Sequence, residues 1–284
     1  MSTVWRRPWL QILVAGLILY VAMERVLVST GNINLVPGVI CLGAFLGPVA
    51  FVAYVYERAP EVPLHTLMWC FLAGGVLGVT AAGLLEYQTL VGYGTLPTVA
   101  IGLVEETCKL LVPLGFFLVW RYRREADGLL FGVAAGMGFA AFETMGYALT
   151  VLIASGGRIG ALEQVLLIRN VLSPAGHAAW TGLICAALWR ARLDPSPPAR
   201  FGFLATFFGA VALHALWDSS PTGWRLVGVA FVSWSLLSWR LATVGRAPER
   251  RAVRGYSRSS TVRAADGLTG GVGERVGDGL RLGR

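Results

Sequence analysis

The chain has 284 residues, of which 55% are hydrophobic and only 14% charged, and its mean hydropathy is +0.63. A soluble domain carries roughly a quarter charged residues, so this composition excludes a water-soluble enzyme, a disordered protein and a nucleic-acid-binding domain. The net charge of +8 is unevenly placed: nine Arg and four acidic residues fall after position 245, which leaves the remainder more apolar still.

Runs of about 20 apolar residues read as membrane-crossing segments. Eight emerge in chain order, at 9–28, 35–56, 64–85, 96–120, 127–154, 165–190, 200–218 and 222–241. Backbone in contact with lipid must satisfy its own hydrogen bonds, so the predicted fold is all-α, a polytopic integral membrane bundle of about eight helices. The first segment follows Trp5-Arg6-Arg7, the charge order of a signal peptide. It is long and lacks a small-x-small cleavage site, and is expected to be a retained span. It carries Glu24 and Arg25 near its outer end, a local ion pair. Segments two and three hold no ionisable group away from their ends, and His65 reads as interfacial.

The next four segments differ. Segment four carries Glu105, Glu106 and Lys109; segment five carries Glu143; segment six carries His177; segment seven carries His214 and Asp218. Segment five also contains Gly132, Gly136 and Gly138, a small-residue face suited to close helix packing. Segment eight has no charge between Arg225 and Arg240, and the tail from 246 onward, rich in Gly, Ser and Arg, is predicted to be disordered. Cys41, Cys70, Cys108 and Cys185 lie in four different apolar runs, which indicates neither a disulfide framework nor a thiolate zinc site.

Loop charge sets the orientation. With the N-terminus inside, the inner segments hold Arg6, Arg7, Arg58, the cluster Arg121, Arg123 and Arg124, then Arg190, Arg192, Arg200 and the tail; the outer loops hold Arg158, with Arg25, Arg169 and Arg225 at span edges. Both termini are therefore expected on the cytoplasmic side. The division that follows is three supporting spans over 1–95, a catalytic membrane core over 96–241, and a basic cytoplasmic tail over 242–284.

An ionisable group inside a span is costly and marks a candidate functional site. Residues three and four apart share a helix face, so Glu105 and Glu106 both neighbour Lys109, Glu143 neighbours Tyr147, His177 neighbours Thr181, and His214 neighbours Asp218. At 1.5 Å per residue, Glu106, Glu143 and His177 lie roughly 15–18 Å from the outer ends of their spans, with His214 shallower. Of 24 basic residues, 23 are Arg; the one lysine is Lys109, in mid-membrane. Its plain role is to neutralise a neighbouring carboxylate, since two adjacent glutamates at low dielectric cannot both ionise freely. Taken singly, Glu143 reads as a protonated acid on a helix carbonyl and His177 as a satisfied core histidine. It is their convergence at similar depth that points to a polar active site.

At these residues the sequence resembles the PrsW family of intramembrane proteases, in the wider group that contains CAAX prenyl endopeptidases and Abi-type membrane proteins. The motifs are EExxK as Glu105-Glu106-Thr-Cys-Lys109, FxxxExxxY as Phe139-Ala-Ala-Phe-Glu143-Thr-Met-Gly-Tyr147, the histidine of Gly176-His177-Ala-Ala-Trp-Thr181, and HxxxD as His214-Ala-Leu-Trp-Asp218. They fall in order on four successive segments, and the resemblance covers residues 95–240. It implies proteolysis of a membrane-anchored protein, such as an anti-sigma factor, in a bacterial plasma membrane. Carried over, Glu105 is the first choice for general base, with Glu106 and Lys109 setting its charge. Glu143 and His177 complete the water site, and His214 with Asp218 binds the developing oxyanion or orients the imidazole. No cofactor is firmly implied. Zinc stays open, with His177, His214 and either Glu143 or Asp218 as the ligand set, although no HExxH occurs; the metal-free account is favoured on mechanism. The competing expectation is a non-proteolytic scaffold or a proton-coupled transporter. It is disfavoured because segments one to three lack the polar set, whereas transporters often repeat it. The partners expected are a membrane-anchored substrate and the bilayer, with no nucleic acid; the substrate's identity, the cut site and the oligomeric state are left open.

Overall fold

A computed structural model describes residues 6–58, 60, 62–219 and 223–244; the tail whose disorder is predicted from sequence falls outside them. Among the described residues every regular element is helical. The ten α-helices are α1 (Pro8–Thr30), α2 (Val36–Tyr56), α3 (Leu64–Tyr93), α4 (Thr98–Lys109), α5 (Leu111–Leu118), α6 (Glu125–Ala154), α7 (Ile159–Leu172), α8 (His177–Leu193), α9 (Pro197–Asp218) and α10 (Gly223–Val244). Among the described residues seven stretches are long and apolar enough to cross a membrane: α1, Ile33–Tyr56, α3, α6, Ile159–Leu193, α9 and α10. The fold is the all-α polytopic bundle expected.

The segment predicted at 96–120 is not one helix. It is built from α4 and α5, 12 and 8 residues long, joined at Leu110. Proline explains the break: Pro113 has no N–H, and its ring crowds the carbonyl four residues back, which is that of Lys109. Leu110 N–H turns instead to the Thr107 carbonyl, three residues back, at 3.1 Å. The segment predicted at 165–190 is interrupted as well. Pro174 ends α7, a 3₁₀ turn spans Ser173–Ala175, and α8 starts at His177. Lys109 thus closes one short helix and His177 opens another. A cation in the last turn also suits the negative end of the α4 dipole.

Helix α6 is the axis of the bundle. Arg124 and Asp127 cap its start, the Arg124 N–H donating to Asp127 Oδ2 at 2.9 Å, and every residue from Asp127 to Ala141 is buried. Glycine permits this. A Cβ at Gly132 or Gly136 would stand 2.4 Å or 2.3 Å from the carbonyl oxygens of Thr181 and His177, so this face lies backbone to backbone on α8. Gly138 belongs to the other face, where a Cβ would meet the Phe71 carbonyl of α3 at 2.0 Å. The small-residue face expected from sequence therefore serves two neighbours. One end of the bundle is filled by stacked rings, Phe116 on Phe131 at 4.5 Å, with Trp189 Nε1 donating to the Tyr122 carbonyl at 2.9 Å. The polar residues gather towards the other end. Glu24 and Arg25 pair at 3.5 Å, and His65 is exposed at the start of α3.

Candidate active site

The residues singled out from sequence meet. At the end of α4, Lys109 Nζ lies 3.0 Å from Glu105 Oε2 and 2.8 Å from Glu106 Oε1. Lys109 and Glu106 are fully buried side chains, and the ammonium also stands 4.4 Å from the centre of the Phe139 ring. His214, reaching over from α9, places Nδ1 3.0 Å from Glu106 Oε1 and Nε2 3.4 Å from Glu105 Oε2. Asp218, one turn further on, brings Oδ2 to 3.4 Å from the same Nε2. One imidazole thus faces three carboxylates. A neutral ring has a single N–H to give, so the carboxylates compete for it, with the Lys109 ammonium supplying donors to Glu105 and Glu106.

A second arm stands beside the first. His177 Nε2 lies 3.2 Å from Glu143 Oε2, and the Arg169 guanidinium of α7 pairs with that same carboxylate oxygen. Arg169 Nε also donates to Thr144 Oγ1 at 2.8 Å, and the guanidinium carbon lies 4.4 Å from the Tyr147 ring centre. The two arms touch through their imidazoles, whose centres are 5.8 Å apart with the rings at 88°. Trp180 stacks on His214 at 4.7 Å and is itself held by a 2.9 Å bond from Nε1 to Ser233 Oγ of α10. Thr181 Oγ1 donates to Glu106 Oε2 at 3.3 Å. All seven expected residues, Glu105, Glu106, Lys109, Glu143, His177, His214 and Asp218, belong to this single assembly, and their depths agree through direct contact.

Four participants escaped the sequence reading. Arg169 looked like an interfacial charge, yet it is the counter-ion of Glu143; the signal was an intramembrane acid with no cation on its own face. Thr144 sits next to Glu143 and Trp180 lies inside a quoted motif, but nothing local distinguished them from packing. Glu86 was placed beyond the third span. Helix α3 continues to Tyr93, so Glu86 lies within it, with one carboxylate oxygen buried and unpartnered and in electrostatic contact with Glu105, Glu143 and His214.

Exposed surface separates the acids. Glu105, Glu143 and Asp218 keep 9%, 19% and 29% of their side-chain surface exposed, while Glu106 keeps none. A sealed carboxylate holding three donors is suited to fixing geometry, and a carboxylate with exposed surface is better placed to exchange a proton.

The donors were tested for their fit to a metal. His214 Nε2 with Glu105 Oε2 and Asp218 Oδ2 has edges of about the right length for a tetrahedral zinc, whose bonds run near 2.0–2.1 Å. The same Glu105 oxygen, however, carries the Lys109 ammonium. The expected zinc set, His177 and His214 with either Glu143 or Asp218, is divided between two arms; Glu143 is claimed by Arg169, and Asp218 stands on the His214 arm. Of the expected set, His177 Nδ1 is a buried polar atom without a partner, as is one oxygen of the neighbouring Glu86. Among the described residues no three His, Cys, Asp or Glu are arranged to hold a metal ion. The arrangement does not fit one.

Comparison with curated proteins and with solved structures returns no match. The family model described as PrsW family intramembrane metalloprotease matches residues 62–242, which spans α3 to α10 and every residue of the assembly above. With its motifs joined in one intramembrane site and most of its length matched, the chain belongs to the PrsW family of intramembrane proteases.

Proposed function

We propose that the chain hydrolyses a peptide bond of a membrane-anchored protein by glutamate-centred, metal-free water activation. The observation that carries this is the position of His214, within 3.4 Å of Glu105, Glu106 and Asp218 at once. Glu105 is the general base, because it keeps some exposed side-chain surface and stands 3.4 Å from the imidazole that faces the oxyanion. It accepts a proton from water as the water oxygen adds to the scissile carbonyl carbon. His214 donates an N–H to the oxyanion, and the proton held by Glu105 then passes to the leaving amine as the C–N bond breaks. Glu106 and Lys109 do not react; they fix the electrostatics and the tilt of His214. His177, oriented by Glu143 and Arg169, holds the water through its free Nδ1. Donors preorganised in a dry site are worth more than in water, and the burial of Lys109 and Glu106 supports that condition.

The inner charges support cytoplasmic termini, so the site opens towards the outer half of the membrane. The substrate class that suits this is a single-span protein with an outer domain, of the anti-sigma-factor kind, in a bacterial plasma membrane. A common chemistry with CAAX prenyl endopeptidases and Abi-type proteins follows from the paired glutamates. Helices α1 and α2 contribute no site residue and act as support, and α3 contributes Glu86; the tail that follows α10 is assigned to the cytoplasm. Proteomic comparison of cells carrying the wild type or Glu106→Gln tests the reading. Soluble ectodomain fragments that appear only with the wild type support it, and identical fragment sets refute it.

A further inference from the structure

Away from the site, helices α8, α9 and α10 enclose a groove of about 450 Å³. Its walls are apolar, with Leu213 and Leu216 of α9 facing Leu236 and Trp239 of α10. Its ends differ in character. One end is closed by Trp180, the residue stacked on His214. The other end carries Arg190 and Arg240.

Charge and size decide between occupants. Arg240 is paired with Glu125, whereas Arg190 is exposed on the lip; the acid near it, Asp194, accepts the Ser196 N–H at 3.2 Å. The lip therefore offers a cation to an anion arriving from the membrane surface. A spanning helix is too large, because one turn of a cylinder about 10 Å wide and 5.4 Å high fills about 420 Å³. An acyl chain has the right girth, and a phosphate joined to it would reach the arginine. Basic pockets between membrane helices are known to take anionic headgroups. The apolar groove between α1, α2 and α3 is of similar volume, but no cation lines it.

We propose that this groove binds one anionic phospholipid, with its phosphate on Arg190 and one acyl chain running along α9 to Trp180. The lipid then braces the tryptophan that fixes His214, and binding does not depend on hydrolysis.

The test is native mass spectrometry of the full chain in detergent, with phosphatidylglycerol or phosphatidylcholine of identical acyl chains. One phosphatidylglycerol should be retained in preference to phosphatidylcholine. Arg190→Gln should lower that retention about fivefold, the effect of one surface arginine on an anionic lipid, and leave phosphatidylcholine unchanged. Ala205→Phe, which fills the groove from the exposed face of α9, should reduce both, and Leu236→Phe repeats that arm from α10. Arg225→Gln, outside the groove, should change neither. Excess inorganic phosphate should not displace the lipid, since it lacks the chain. Equal retention of the two lipids, displacement by phosphate, or retention unchanged by Arg190→Gln and both filling variants would overturn the proposal.

Discussion

Replacing Gly136 by alanine isolates what close packing does for the site. A Cβ there would stand 2.3 Å from the His177 carbonyl oxygen, where ordinary contact begins at 3.4 Å, so the start of α8 must retreat by about 1.1 Å. Alanine gains about 1 kcal/mol of helix propensity over glycine, while overpacking a tight contact costs about 1–3 kcal/mol. The net loss of stability is thus small, about 0–2 kcal/mol. Activity should suffer far more, because His177 moves with its own backbone, and a displacement near 1 Å at a reacting group costs on the order of 100-fold. Gly146→Ala is the control. It lies on the same helix with nothing within 4 Å of an added Cβ, and should be stabilising by up to about 1 kcal/mol with full activity. The assay is thermal unfolding in detergent beside the rate of fragment release in membranes. Equal activity of Gly136→Ala and Gly146→Ala would refute the claim that the α6–α8 contact sets the position of His177.

Lys109→Arg should fold and insert but lose at least about tenfold in rate, since a planar fork does not replace a compact ammonium held by two carboxylates; unchanged cleavage would show that only positive charge is needed. Arg169→Gln should lower kcat on the order of 100-fold by freeing Glu143 and His177, with Arg169→Lys recovering part of it; a change confined to KM would place Arg169 in substrate binding instead. Reporter fusions should read residues 94–97 and 155–158 as external and 119–124 as internal, and an external reading for 119–124 would reverse the orientation.

The reacting residues were legible because charge inside an apolar run is conspicuous, and helical spacing pairs Glu105 and Glu106 with Lys109, and His214 with Asp218. The broken helices were less so. Pro113 and Pro174 were in plain view, but an apolar segment with one proline can bend or stop, and only packing decides. Arg169 and Glu86 were misplaced for a related reason. Each sits near the end of an apolar stretch, where hydropathy assigns a charge to the interface, and only the tertiary fold pairs Arg169 with Glu143 and buries an oxygen of Glu86. The division of labour between Glu105 and Glu106 was likewise invisible in sequence, because adjacent residues differ in burial only once α8 and α9 cover one of them.

The most direct test is made on purified protein reconstituted with a substrate recovered from the proteomic comparison. Cleavage by the wild type and by Glu105→Gln is measured after exhaustive chelation, with metal content determined on the same samples. The account predicts that the wild type cleaves without stoichiometric metal, and that Glu105→Gln, correctly inserted, loses about 100- to 10,000-fold, the range of a general base. Cleavage by Glu105→Gln at the wild-type rate, or activity that leaves with zinc and returns with it, would contradict it.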